Sequence, residues 1–236
     1  MGIRRGSIST PIIADGLIFN MDAANRACYI NGSTKSLNTI NLSQSGSINA
    51  VQFDSSNLGT WDFDGTEDYI EIQQSNNLKF GTGGFSLGLW AYVRSWSTGG
   101  GLWDRIFFLG NTLFSDSLSW NLDGSTGKSV FRVNDTIRST SAGAFTLNSW
   151  KYYVFTRDGS TLKHYFNGSI STTTTYDIGN VDNMGNYRGF IGRGDQSQYT
   201  NSEINAIYGP IHIYNRALSA NEVLHNYNAL KGRFGL

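Results

Sequence analysis

Six Asx-Gly pairs punctuate this chain of 236 residues, at Asp15-Gly16, Asn31-Gly32, Asp64-Gly65, Asp123-Gly124, Asp158-Gly159 and Asn167-Gly168. Both residues of such a pair tolerate positive φ, so each pair favours a tight turn between strands. The clearest hairpin follows Trp150, where Trp150, Tyr152, Val154 and Thr156 alternate with Lys151, Tyr153, Phe155 and Arg157 before Asp158-Gly159 turns the chain into 162–166. Aromatic residues on both faces of that strand mark it as a central strand of a two-layer structure. Period-two patterns also predict strands over 17–21, 69–72, 85–93, 105–109, 118–122, 130–133, 189–191 and 211–214. The short polar run 171–175 reads as a strand or a loop at the hairpin's exit.

No helical pattern of useful length precedes Ser219. From there the chain changes character. Ser219 is an N-cap, Glu222 lies three positions later in capping-box spacing, and Gly232 is the expected C′ stop. Val223, Leu224, Tyr227 and Leu230 recur at helical spacing. The pattern predicts one helix over 219–231 with an apolar stripe that must lie on a sheet.

Composition agrees with a many-stranded sandwich: aromatic residues make up 14%, charged residues only 15%, and there are 28 glycines. No linker divides the chain, so the reading is an N-terminal arm, 1–11, followed by one domain, 12–236. Eighteen basic and eighteen acidic residues leave no net charge, and the basic footprint that phosphate backbones require is missing. Nucleic acid is therefore excluded as a partner, and the lack of any run of 18 apolar residues excludes membrane insertion by a helix. The N-terminus has no sustained apolar core, and Gly6 stands where a myristoylation signal needs Ser or Thr. A single cysteine, Cys28, excludes an internal disulfide framework and any multi-cysteine metal site, and reads as a small buried residue. Arg4 and Arg5 make the arm either a solvated end or a segment that docks on a neighbouring subunit.

The closing stretch "IYNRALSANEV…NYNALKGRFG" resembles the end of laminin-G-like, concanavalin-A-like jelly-roll domains. Five earlier stretches agree with it: "DGLIFNMDAAN" (15–25), "WDFDGTEDYIEI" (61–72), "FSLGLWAYV" (85–93), "WKYYVFTRDGSTLKHYFNGSI" (150–170) and "FIGRG" (190–194). The resemblance covers 12–236, and its wording is most similar to versions found in tailed-phage structural proteins. It implies an all-β fold, a two-sheet antiparallel β-sandwich with one short C-terminal helix. It further implies a non-enzymatic virion protein assembled in a host cytoplasm, on the capsid surface or in the tail or fibre. Such a protein is oligomeric against other virion proteins and able to contact host-surface glycans. Two alternatives stay open, a carbohydrate-binding host adhesin and a glycan hydrolase.

Glucanases of this fold carry alternating carboxylates on one strand face, as a retaining pair about 5 Å apart requires. The four glutamates, Glu67, Glu71, Glu203 and Glu222, form no such pattern. Asp68 and Glu71 differ in parity and would point to opposite faces. His164, His212 and His225 lack ligand spacing and read as polar strand and surface residues. Sandwiches of this kind also bind calcium in rim loops. That makes Asp22, Asp64 and Asp68 candidate ligands for a structural ion, although Asp64-Gly65 and Asp68 are equally explained by turn geometry. Sugar recognition needs rings for C–H faces and convergent polar groups for hydroxyls. Trp96, Trp103 and Asp104 in one loop offer that chemistry, as do Tyr187, Arg193, Asp195 and Tyr199 in another. Both loops serve equally well as subunit contacts. Trp61, Trp90, Trp120 and Trp150 are expected in the core.

Overall fold

The structure is a computed structural model describing residues 11–72, 78–96, 103–112, 115–182, 188–194 and 203–236. Its strands, in chain order, are β1 (Leu17–Met21), β2 (Lys35–Leu37), β3 (Ser45–Asn49), β4 (Gln52–Asp54), β5 (Thr60–Asp64), β6 (Tyr69–Ile72), β7 (Phe85–Ser95) and β8 (Trp103–Thr112). They continue as β9 (Ser115–Asp123), β10 (Lys128–Val133), β11 (Thr136–Ala144), β12 (Trp150–Asp158), β13 (Thr161–Phe166), β14 (Ser169–Thr175), β15 (Gly189–Ile191) and β16 (Asn205–Tyr214). One helix, α1 (Ala220–Leu230), follows. The strands pair as two sheets: β14-β13-β12-β7-β16-β5-β4 with β1 also on β16, and β11-β10-β9-β8-β15-β6-β3-β2. All the strand pairings are antiparallel, so the sandwich with a closing helix expected from the turn spacing is the observed fold.

Sequence periodicity misses β2 to β5 and β11. β2, β3, β4 and β11 are short or rich in polar residues, which blunts the alternation, whereas β5 buries Trp61 and Phe63 but is five residues long. β16 also starts earlier than 211. Its first half pairs with β5 and its second half with β1, and the register on β7 shifts between Tyr208 and Ile211. Pro210, which has no N–H to give a ladder, sits at that irregularity.

The first sheet is covered on both faces, which explains the double-sided aromatic pattern of β12. Tyr153 and Phe155 face the interior between the sheets, with Leu87, Leu89 and Trp120, whereas Tyr152 and Val154 belong to a second cluster under α1. Trp90 is the centre of that second cluster, stacked on Phe234 at 4.4 Å and Tyr152 at 5.3 Å between ring centroids. Trp61, Trp90 and Trp120 are buried as expected, and Trp150 is half-buried against Phe234. Cys28 is buried.

The helix has the predicted capping box: Ser219 Oγ accepts from the Glu222 N–H, and Glu222 Oε2 accepts from the Ser219 N–H at 2.8 Å. Two details of the prediction are corrected. Leu224 is 42% exposed and lies at the edge of the stripe, and the position it was expected to fill is taken by Asn226, which is fully buried. Asn226 Oδ1 accepts the Ile13 N–H at 2.8 Å, and its Nδ2 donates to the Tyr214 hydroxyl at 3.0 Å, so this amide ties the chain entry to the last strand. Gly232 is not the stop. The chain tightens into a 3₁₀ turn over Lys231–Phe234 because Phe234 is drawn into the Trp90 cluster, and Gly235, at φ 73°, takes the left-handed position. The arm expected over 1–11 lies outside the described residues except for Pro11, whose carbonyl accepts from His225 Nε2 at 2.9 Å.

Two of the histidines read as polar strand or surface residues are instead in the interior. His164 of β13 spans the gap between the sheets, with Nδ1 2.9 Å from Ser129 Oγ of β10 and Nε2 3.0 Å from Ser139 Oγ of β11. Trp120 Nε1 donates to the same Ser129 at 2.6 Å, so a buried polar chain crosses an otherwise apolar core with its members satisfied. His212 of β16 is also buried, in ring contact with Tyr152.

Candidate functional site

The outer face of the second sheet is where the functional side chains gather, and strand parity decides which residues reach it. Trp120 belongs to the interior, so its neighbours on β9, Ser119 and Asn121, point outward. Arg105 pairs with Asn121 across the ladder and donates to its Oδ1 at 3.1 Å. Trp103, two residues earlier, shares the face. A register shift between Arg105 and Phe107 then reverses the alternation, so Phe107 turns inward and Phe108 outward. On the neighbouring strands, Phe190 of β15 lies between Phe108 and Tyr69 of β6, at centroid separations of 6.3 and 5.9 Å respectively. Glu71 pairs with Phe190 across the ladder and lies on the same face.

Arginines cover these rings. The Arg132 guanidinium carbon stands 4.3 Å from the Trp103 ring centroid, held by Asp135 in the β10–β11 turn at 2.8 Å. Asn134 and Asp135 both have positive φ there, at 49° and 57°, as a two-residue hairpin turn requires. Arg193, just past β15, lies flat on Tyr69 at 3.3 Å and 4.9 Å from Phe190. Arg188 is 5.7 Å from the Phe190 ring and pairs with Glu71 at 3.1 Å. Arg105 links the two ends, since a Cβ added to Gly194 would stand 3.0 Å from its Cγ.

The structure thus brings Trp103 and Arg193 of the sequence-derived candidates onto one face and separates others from it. Trp96 packs on the interior cluster and against Gly127, where an added Cβ would stand 2.8 Å from its ring. Asp104 opens β8 rather than lying in a loop; it is buried, and its charge helps push the buried Tyr208 hydroxyl upward after desolvation itself. Tyr187, Asp195 and Tyr199 lie outside the described residues. Tyr69, Phe190, Arg132 and Arg188 were missed. The available signals were the 69/71 alternation of β6 and the two arginines flanking "GFIG", but only tertiary pairing makes them neighbours.

Each of the three calcium candidates has a protein partner in the structure. Asp22 gives both carboxylate oxygens to Arg233, at 2.8 and 3.0 Å. Asp64 accepts the Thr66 N–H at 2.7 Å, and Asp68, buried, accepts the Asp64 N–H at 2.8 Å. Burial pushes the Asp68 carboxyl up from its ordinary value, a shift that a bound cation would oppose. Among the described residues no group of three His, Cys, Asp or Glu side chains is placed to hold a metal. The carboxylates at the outer face are likewise committed: Glu71 to Arg188, Asp135 to Arg132, and Asp123 to Ser125 and Thr126.

Among solved structures, the chain is similar to the binding domain of Paraclostridial Mosquitocidal Protein 1, with a TM-score of 0.68 and 16% identity over 91% of this chain and 52% of that one. It is similar to Trypanosoma rangeli sialidase, with a TM-score of 0.68 and 14% identity over 96% of this chain and 36% of the enzyme. It therefore spans about half the length of the first and about a third of the second. Domain 4 of an extracellular arabinanase from Geobacillus stearothermophilus, solved in complex with arabinotriose, is matched over 98% of its length and 91% of this chain, with a TM-score of 0.64 and 13% identity. These likenesses concern the fold. No curated protein matches the chain in sequence. A family described as the concanavalin A-like lectin/glucanases superfamily matches residues 64–224, more than half of the chain. The chain belongs to the concanavalin A-like lectin/glucanases superfamily.

Proposed function

We propose that this domain is a non-catalytic carbohydrate-binding module, displayed on the surface of a tailed-phage particle, that holds glycan against the outer face of its second sheet. The observation that carries the reading is the gathering of Trp103, Tyr69, Phe190 and their covering arginines on that one face. The half-buried rings of Trp103 and Tyr69 leave part of their apolar surface for sugar C–H groups, while guanidinium N–H groups reach hydroxyl oxygens. Glycosidic hydrolysis needs two carboxylates held across the scissile bond, one of them a proton donor. The acidic groups of this face are instead ion-paired or bound to turn donors, a chemistry of binding without turnover. The arabinotriose complex of the Geobacillus domain supports the same use of the fold. The particle assignment is supported by the phage-like wording of the C-terminal stretch.

The test is a glycan array with wild type, Trp103→Ala and Tyr69→Ala, alongside a reducing-end assay on the bound glycans. Reproducible binding that both variants lose, without sugar release, is the expected result. A wild type that binds nothing on the array refutes glycan recognition, and release of reducing ends refutes the non-catalytic reading. Locating the chain in an intact-particle reconstruction checks its virion position.

A further inference from the structure

Arg193 lacks what a guanidinium in its position ordinarily has. It is half-buried, its Nε is inaccessible and has no hydrogen-bond partner, and no carboxylate among the described residues pairs with it. Buried donors on charged groups are costly to leave unmade. Arg188, 66% exposed at its side chain, borders the same Phe190 ring and pairs with Glu71. Among the described residues the corner therefore holds two cations against one anion.

The geometry favours a planar anion. The Arg193 guanidinium carbon rests 3.3 Å from the Tyr69 ring centroid and 4.9 Å from that of Phe190, and its terminal Nη groups, unlike the inaccessible Nε, are the ones a ligand can meet. A planar two-oxygen group meets those groups with two parallel hydrogen bonds, whereas a sugar hydroxyl makes one and leaves the charge uncompensated. The Arg188–Glu71 pair is no obstacle, because an exposed ion pair contributes little and Arg188 can turn to a ligand.

We infer that the Arg188, Arg193, Tyr69 and Phe190 corner is a subsite for the carboxylate of an acidic sugar, a sialic or uronic acid unit. The inference rests on the carbohydrate-binding reading above and adds the ligand class.

Calorimetric titration of the full chain with matched probes tests it: lactose, 3′-sialyllactose and 3′-sulfolactose, and trigalacturonate against neutral galactotriose. The carboxylated member of at least one pair should bind about tenfold or more tightly, the worth of a hydrogen bond to a charged group. Arg193→Gln should abolish the preference, weakening the carboxylated sugar about tenfold more than the neutral one, and Arg193→Lys should restore only part of it, since a point charge lacks the fork. If Arg193→Gln does not fold, a salt titration of the wild type decides. Affinity for the carboxylated sugar should fall between low and high salt while neutral affinity holds, and salt-independent affinity overturns the inference. Equal affinity within both pairs, or an unchanged preference in folded Arg193→Gln, overturns the acidic subsite but not glycan binding. Preference for the sulfated probe overturns the carboxylate assignment, and no binding to any probe overturns both readings.

Discussion

Arg233 and Asp22 stand 211 residues apart in the chain and meet in a two-bonded ion pair, Nη1 to Oδ2 at 2.8 Å and Nη2 to Oδ1 at 3.0 Å. The same guanidinium donates to the carbonyls of Asn57 and Gly59, at 2.6 and 2.5 Å. One side chain thus holds the C-terminal turn, the loop after β1 and a kink where Asn57 and Leu58 adopt positive φ. Replacing Arg233 by Ala strands a largely buried carboxylate and frees a strained loop.

Arg233→Ala should therefore destabilise by about 3 kcal/mol, the low end for removing one partner of a buried pair. Chemical denaturation of Arg233→Ala, Asp22→Ala and the double variant measures the coupling. Additive losses would show that the pair itself contributes nothing.

Acid stability should depend on the two buried histidines. Desolvation lowers His164 to about 3 and His212 to about 4, whereas in the unfolded chain both titrate near 6.5. Below pH 6.5 the unfolded state takes up protons that the folded state refuses, so stability is fully present above 6.5 and falls as pH drops toward the folded values. Each histidine removes up to about 1.4 kcal/mol per pH unit in that window. Thermal midpoints between pH 7 and 4 should fall steeply, and less steeply in His212→Gln. Equal slopes in the two proteins would contradict the assignment.

Glu222 adds a separate, lower window. Its hydrogen bonds to Arg216, at 2.7 and 3.0 Å, and to the Ser219 N–H hold its carboxyl at about 2, below the ordinary 4.5. The stability it contributes is present above 4.5 and is lost as pH falls toward 2. At neutral pH, Ser219→Ala should cost on the order of 1 kcal/mol, the usual worth of an N-cap, with the change in denaturation midpoint as the readout.

Calcium should not shift thermal unfolding, because Asp22 is paired with Arg233, and Asp64 and Asp68 each bind a turn N–H. An ion at about 100 times its dissociation constant would stabilise by about 2.7 kcal/mol. A rise of that size in calcium, reversed by chelation, would reinstate the three carboxylates as ligands.

Local chemistry determined much of this protein. Five of the six Asx-Gly pairs set turns on a glycine at positive φ, whereas the turn after Asp123-Gly124 places Gly127 there instead, and the β12–β13 hairpin and the Ser219–Glu222 box follow from contacts a few residues apart. The double-sided aromatics of β12 likewise announced a strand with cover on both faces. What only tertiary structure decided are events between distant segments. Phe234 found Trp90 and carried the chain past Gly232, Asn226 displaced Leu224 from the buried stripe, and His164 went inward because Ser129 and Ser139 of the facing sheet satisfy both ring nitrogens. The candidate site belongs to this second kind. A register shift in β8 chose which of its residues face outward, and pairing with β15 and β6 brought Trp103, Tyr69 and Arg193 onto one surface. Alternation along a strand reveals that two faces exist. Which face meets the core depends on the partner sheet, and no local pattern encodes it.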